Sequence, residues 1–160
     1  MRDATLLFLV KRNADSEIVE ICLAMKKRGF GVGRWNGVGG KIEVGEAIES
    51  AAKREAEEEV GVKVQSLMKV AELTFLFPAK PEWDQLVHAY LCDVWTGEPT
   101  ETEEMRPEWR VISDIPFAQM WADDVYWLPQ VLAGVKVKAT FSFGEHDEVL
   151  SQDVLVVSSL

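Results

Sequence analysis

The chain has 160 residues, 48% of them hydrophobic, enough for one well-buried core and short for two ordinary domains. A formal net charge of −10 argues against a sequence-independent grip on DNA or RNA, which needs several Lys or Arg contacts to phosphates. No stretch approaches the ~20 apolar residues that span a bilayer, and no small-residue cleavage site follows the N-terminal apolar segment. These features predict a soluble, cytoplasmic, monomeric protein with one domain over residues 1–160 and neither a polymeric nucleic acid nor a membrane as partner. Cys22 and Cys92 sit in apolar runs with no metal-ligand spacing to His88 or His146, so they read as buried free thiols.

In chain order, residues 5–10 and 18–25 read as strands joined by a polar loop at 11–17. Gly29, Gly31, Gly33, Gly37, Gly39 and Gly40 then break the chain into tight turns around Trp35 and Asn36. The one dense basic stretch, Lys26-Lys27-Arg28 with Arg34 and Lys41 beyond, lies just ahead of the next element and could meet an anion there. A helix is predicted from Gly45-Glu46 to Gly61, which is placed for the left-handed cap. Residues 64–77 and 87–95 are rich in strand formers, and 109–112 reads as a short strand. Residues 115–121 and 126–132 read as short helical segments. The alternation of Val135, Val137, Ala139, Phe141 and Phe143 with polar residues marks a half-buried strand. A turn at 144–147 then leads into a last strand, 149–157. Strands with one strong helix in the middle and a second near the end predict an α/β fold, a mixed sheet with helices on its faces.

The central helix breaks its own pattern. At about 100° per residue, Glu46, Glu49, Lys53 and Glu57 share a solvated face with Glu49–Lys53 and Lys53–Glu57 as i,i+4 pairs. Ala47, Ile48, Ala51 and Ala52 form the stripe that should meet the sheet. One turn further, that stripe becomes Glu55, Glu58 and Glu59, a sector about 100° wide. Like charges at this spacing cost roughly 0.2–0.5 kcal/mol per pair, and last-turn carboxylates oppose the helix dipole. Arg54 can offset part of this by pairing with Glu58. A hard divalent cation would resolve the conflict, because clustered carboxylates supply the oxygen ligands it prefers. An acidic surface cap without a ligand is the alternative.

The stretch GKIEVGEAIESAAKREAEEEVGV, residues 40–62, resembles the Nudix box, G-x5-E-x7-R-E-U-x-E-E-x-G-U with U a bulky aliphatic residue. Gly40, Glu46, Arg54, Glu55, Glu58, Glu59, Gly61 and Val62 match, and Ala56 stands where a larger side chain is usual. The resemblance implies an α/β/α sandwich and an enzyme that hydrolyses a nucleoside diphosphate linked to another group. It also implies Mg2+, or Mn2+ in its place, held on Glu55, Glu58 and Glu59 with the carbonyl of Gly39 or Gly40. Arg54 would orient the glutamates, and Gly45 and Gly61 would be structural.

A wider similarity runs through MKKRGFGVGRWNGVGGK at 25–41, EMRPEW at 104–109 and IPFAQMWADDVYWLP at 115–129. These segments resemble the animal-type oxidised purine nucleoside triphosphatases of that family. The resemblance implies a base pocket of Phe30, Asn36, Phe75, Trp121, Asp123 and Asp124. It places Thr5, Lys26, Gly39, Gly40 and Lys41 at the substrate, and Glu104 as a further acidic residue by the metals. Asn offers a donor and an acceptor in one plane, Trp a stacking surface. Two adjacent carboxyls in an apolar pocket need not both ionise, so one could donate while the other accepts. Each residue also has a plainer reading: an Asp as helix N-cap, Trp121 as core, Asn36 as a turn residue. The expected reaction is hydrolysis of an oxidised purine (deoxy)nucleoside triphosphate to the monophosphate and pyrophosphate, with Glu59 and Glu104 both open as general base. The alternatives are a pyrophosphatase acting on a dinucleotide polyphosphate, ADP-ribose or an unmodified triphosphate, and a non-catalytic nucleotide-sensing module.

Overall fold

The computed structural model describes residues 1–160. Its strands are β1 (Arg2–Arg12), β2 (Ile18–Lys26), β3 (Trp35–Asn36), β4 (Lys63–Val64), β5 (Met68–Leu76), β6 (Gln85–Cys92), β7 (Trp95–Thr96), β8 (Met105–Val111), β9 (Lys136–Phe143) and β10 (Val149–Val157). Helix α1 spans Ile48–Val60 and α2 spans Asp124–Leu132. The main sheet runs β10-β9-β5-β6-β1-β2-β3, with β8 on β2; β1 lies parallel to β6 and β5 to β9, while the other pairs are antiparallel. It is the mixed sheet expected from the sequence.

Alternation along β1 explains the layering. Leu6, Phe8 and Val10 point to the face covered by Trp127, Leu128 and Val131 of α2. Leu7 and Leu9 point to the opposite face, under Ala52, Ala56 and Val60 of α1. The result is helix, sheet, helix, with a separate apolar cluster on each side. Cys22 and Cys92 are free and buried, and burial pushes the Cys22 thiol up to about 12.

The site is positioned by a fork in the sheet. β1 pairs with β2 only near Val10–Arg12, and the two strands then diverge. The glycine-broken segment fills the gap. Trp35 and Asn36 pair with Met25 and Ala24 of β2, while Val38 and Lys41 bridge to Leu7 and Ala4 of β1. Only glycine fits here. A Cβ at Gly39 would lie 1.9 Å from the Thr5 carbonyl oxygen, and one at Gly37 would lie 2.7 Å from that of Leu7.

Several expected boundaries move. Helix α1 starts at Ile48, after the turn Glu43–Glu46 in which Glu46 accepts the Glu43 N–H and binds Arg54, so residues 45–47 lead into the helix. Gly61 caps it at φ 75° as predicted. Strand β8 begins at Met105, earlier than the expected 109, because its pairing to β2 continues past Pro107. Only Phe117–Gln119 of the expected segment 115–121 is helical, as one 3-10 turn. The Glu49–Lys53 and Lys53–Glu57 pairs do not form; the ion pairs of α1 gather on Arg54.

Candidate active site

Arg54 is the hub of the acidic end of α1. Its guanidinium donates to Glu46 at 2.8 and 3.0 Å, to Glu55 at 3.0 Å and to Glu58 at 3.2 Å. The hydrogen bond from Arg54 holds the Glu46 carboxyl below its ordinary value. Glu55, by contrast, is raised: desolvation outweighs the Arg54 contact. Glu59 is buried, accepts the Gly39 N–H at 2.9 Å on Oε2, and takes part in no ion pair. Burial pushes its carboxyl up to about 7, against the Gly39 bond and with the Glu55 charge adding to the rise. Glu58 departs from the expectation that all three carboxylates share the buried stripe. Its side chain is 59% exposed and turned to Arg54, because it lies one step round the helix from Glu55 and Glu59. Ala56, the departure from the box, is fully buried in the core beneath α1.

These groups fit a hard divalent cation in chemistry, although they do not stand as a closed cage of three carboxylates. A buried carboxylate with no cationic partner is expensive unless a cation joins it. Glu55 packs so closely on Gly40 that a Cβ there would meet its Oε1 at 2.7 Å. Of the two candidate carbonyls, that of Gly40 already accepts the Thr5 N–H at 2.9 Å, which leaves the Gly39 carbonyl as the better ligand. Glu104 is held by Arg28, whose Nε donates to it at 3.0 Å, and this bond keeps its carboxyl below the usual range.

Beside this end of α1 opens a cleft of about 790 Å³. Thr5, Lys26, Phe30, Asn36, Gly39, Gly40, Lys41, Phe75, Trp121, Asp123 and Asp124 all line it, so the structure brings the sequence-nominated substrate residues around one space. Lys26, which lines the cleft, also acts through its charge to lower the carboxyls of Glu55, Glu59 and Glu104. The Phe30 ring lies 5.2 Å from that of Trp121, and the Arg34 guanidinium covers Trp121 at 4.1 Å. Arg34 is in turn held by Asp147 at 2.9 Å.

Asp123 and Asp124 are each 2% exposed. Asp123 stands at the N-cap position of α2 but makes no capping bond; its Oδ2 accepts the Trp127 indole N–H at 2.8 Å instead. That forgoes roughly 1 kcal/mol of helix stability, so the plainer capping reading does not describe it. Desolvation raises both carboxyls, and Asp124 further, because the neighbouring Asp123 adds its charge.

Sequence reading missed part of the wall: Phe77, Trp83 and Phe143 also line the cleft. Phe77 and Phe143 stack at 5.1 Å, and Trp83 meets Phe30 edge-on at 5.3 Å. Phe77 and Phe143 occupy the same alternating register as Phe75 and Phe141, which could have nominated them. Trp83 sits in a charged connection with no periodic signal.

The chain matches the NUDIX domain over residues 2–131. It is 48% identical over 139 residues to a mouse protein named oxidized purine nucleoside triphosphate hydrolase, covering 87% of this chain and 88% of that protein. A zebrafish protein of the same name is 45% identical over 140 residues, covering 88% and 89%. Among solved structures, the mMutator MutT protein from Bacillus halodurans superposes with a TM-score of 0.82 at 23% identity, covering 96% of this chain and 97% of that one, a likeness of fold. By domain match, relatives and fold together, the chain belongs to the Nudix hydrolase family.

Proposed function

We propose that this protein hydrolyses oxidised purine (deoxy)nucleoside triphosphates, of the 8-oxo-dGTP and 2-hydroxy-dATP type, to the monophosphate and pyrophosphate with Mg2+. The observation that carries the reading is the buried Asp123–Asp124 pair in the aromatic cleft, next to the acidic end of α1. Two desolvated carboxyls so placed can offer a donor and an acceptor to a purine edge, which a hydrolase that reads only the phosphate chain does not need.

Glu55, Glu59 and the Gly39 carbonyl would hold the ion, joined by Glu58 and Glu104 released from Arg54 and Arg28. Once bound, the ion supplies charge neutralisation on the phosphate oxygens and Lewis acidity at phosphorus. Lys26 and Lys41 bring positive charge to the triphosphate. Phe30 and Trp121 hold the base by stacking, and Asn36 with the Asp pair reads its edge. Glu59 is the better-placed general base: Oε2 is anchored on Gly39, which leaves Oε1 to take the proton from the attacking water. Glu104 is bound to Arg28 and must first leave it, so it is the less ready base.

A panel of 8-oxo-dGTP, 2-hydroxy-dATP, dGTP, dATP, ADP-ribose and diadenosine tetraphosphate, assayed with Mg2+ at matched concentrations, tests this. The expected outcome is pyrophosphate release with kcat/KM highest, by tenfold or so, for the two damaged purines. Equal or better turnover of ADP-ribose or the dinucleotide would overturn the substrate assignment.

A further inference from the structure

The Asp123–Asp124 pair is chemically ambiguous on its own. The two carboxyls are consecutive and each 2% exposed, and with both raised by desolvation the charge of one favours a proton on the other. Two arrangements are then possible, with the proton on Asp123 or on Asp124, and they offer a base opposite orders of donor and acceptor. Something outside the pair must choose.

Trp127 distinguishes them by its geometry. It is fully buried in the α2-side core against Phe8, at a ring separation of 6.4 Å, and it is not among the cleft-lining residues. Helical spacing of i,i+4 brings its indole N–H to Asp123 Oδ2 at 2.8 Å. An indole N–H can only donate. The indole acts on Asp124 only weakly, and Asp124 Oδ2 is buried without a partner in the protein, on a residue that lines the cleft. A donor bound to an ionised acceptor makes a bond roughly twice as strong as one bound to a neutral group. The charge therefore settles on Asp123 and the proton on Asp124.

We infer that Trp127 is a positioning residue for base selection: by claiming Asp123 as the acceptor, its indole N–H makes Asp124 the donor that the cleft presents to a base. This rests on the reading of the cleft as a purine-base pocket. The consequence is specificity, because a keto oxygen and an exocyclic amine at the same ring position demand opposite proton orders. One order is supplied at rest; the other requires moving the proton against the indole bond.

Two measurements test this, the first independent of any substrate. Carbon-13 NMR of carboxyl-labelled Asp in the wild-type protein at neutral pH should show Asp124 protonated and Asp123 ionised. Replacing Trp127 by its benzothienyl isostere, which keeps ring size but lacks the N–H, should bring the two resonances toward a shared, averaged state. A proton found on Asp123, or an isostere that leaves the two signals unchanged, overturns the inference whatever the enzyme hydrolyses. In the second, the isostere and Trp127→Phe are assayed on 8-oxo-dGTP and 2-hydroxy-dATP. The ratio of their kcat/KM values should move by about tenfold, mainly through KM. In an Asp123→Asn background the same replacement should move it little further. An equal loss for both substrates would mean that Trp127 merely supports the fold. Failure to hydrolyse either substrate would sink the proposed function while leaving the NMR result standing.

Discussion

At Glu59 a buried carboxylate with no ion-pair partner sets two opposed demands. Metal-free protein should be strained by it. Its carboxyl rises from 4.5 to about 7 on folding, so the folded state binds this proton more tightly than the unfolded chain does. The stabilisation is complete below the unfolded value and is lost as pH rises through about 7. Without metal, thermal stability should therefore increase as pH falls from about 7.5 to 5, by up to about 3 kcal/mol at 1.36 kcal/mol per pKa unit. The raised Asp pair works in the same direction. Glu59→Gln should flatten this dependence and raise stability at pH 7.5 in EDTA, while lowering kcat with Mg2+ by about 10²- to 10⁴-fold. Melting curves against pH and steady-state rates check both halves. A destabilised Glu59→Gln with normal turnover would contradict the assignment outright.

Among the elements, the glycine turn between β3 and α1 is the least tolerant, and for reasons of space rather than backbone angle. Gly39→Ala would set a Cβ against the Thr5 carbonyl, a fixed backbone atom, so strand or turn must move. Its expected cost is above about 3 kcal/mol, with loss of activity. Gly61→Ala, at the left-handed end of α1, should cost only about 1 kcal/mol, although the new Cβ meets Thr100 Oγ1 at 3.1 Å. Denaturant unfolding of both variants measures the contrast. For α1 itself, Arg54 ties the helix to the preceding turn through Glu46 while restraining Glu55 and Glu58. Arg54→Lys keeps the charge and loses the forked geometry, so it should weaken activity far more than folding.

For the molecule as a whole, the acidic end of α1 and the cleft adjoin at Gly39 and Gly40, where β1 and β2 part. Metal binding at the first should be linked to protons. Because Glu59 must ionise to act as a ligand, Mg2+ binding should release close to one proton near pH 6 and weaken by about tenfold per pH unit below 7. Calorimetry in buffers of different ionisation enthalpy counts the protons. Release of none would place the ion elsewhere.

The local code of the chain sufficed for the sheet-and-helix alternation, the left-handed cap at Gly61, the Arg54–Glu58 pair and the candidate ligands, because each depends on residue spacing within one element. Those site residues were still a roster without a geometry. Tertiary structure alone decided that Glu58 faces solvent while Glu59 is buried, since the two stand about 100° apart on the helix and its packing against the sheet selects which one turns inward. It decided that Trp83 joins the cleft wall and that Glu104 is latched by Arg28, both contacts between segments far apart in the chain. And it decided that Asp123 binds the Trp127 indole rather than the backbone N–H groups at the start of α2, because desolvation, which no linear pattern records, makes the indole N–H worth more to that carboxylate than a cap.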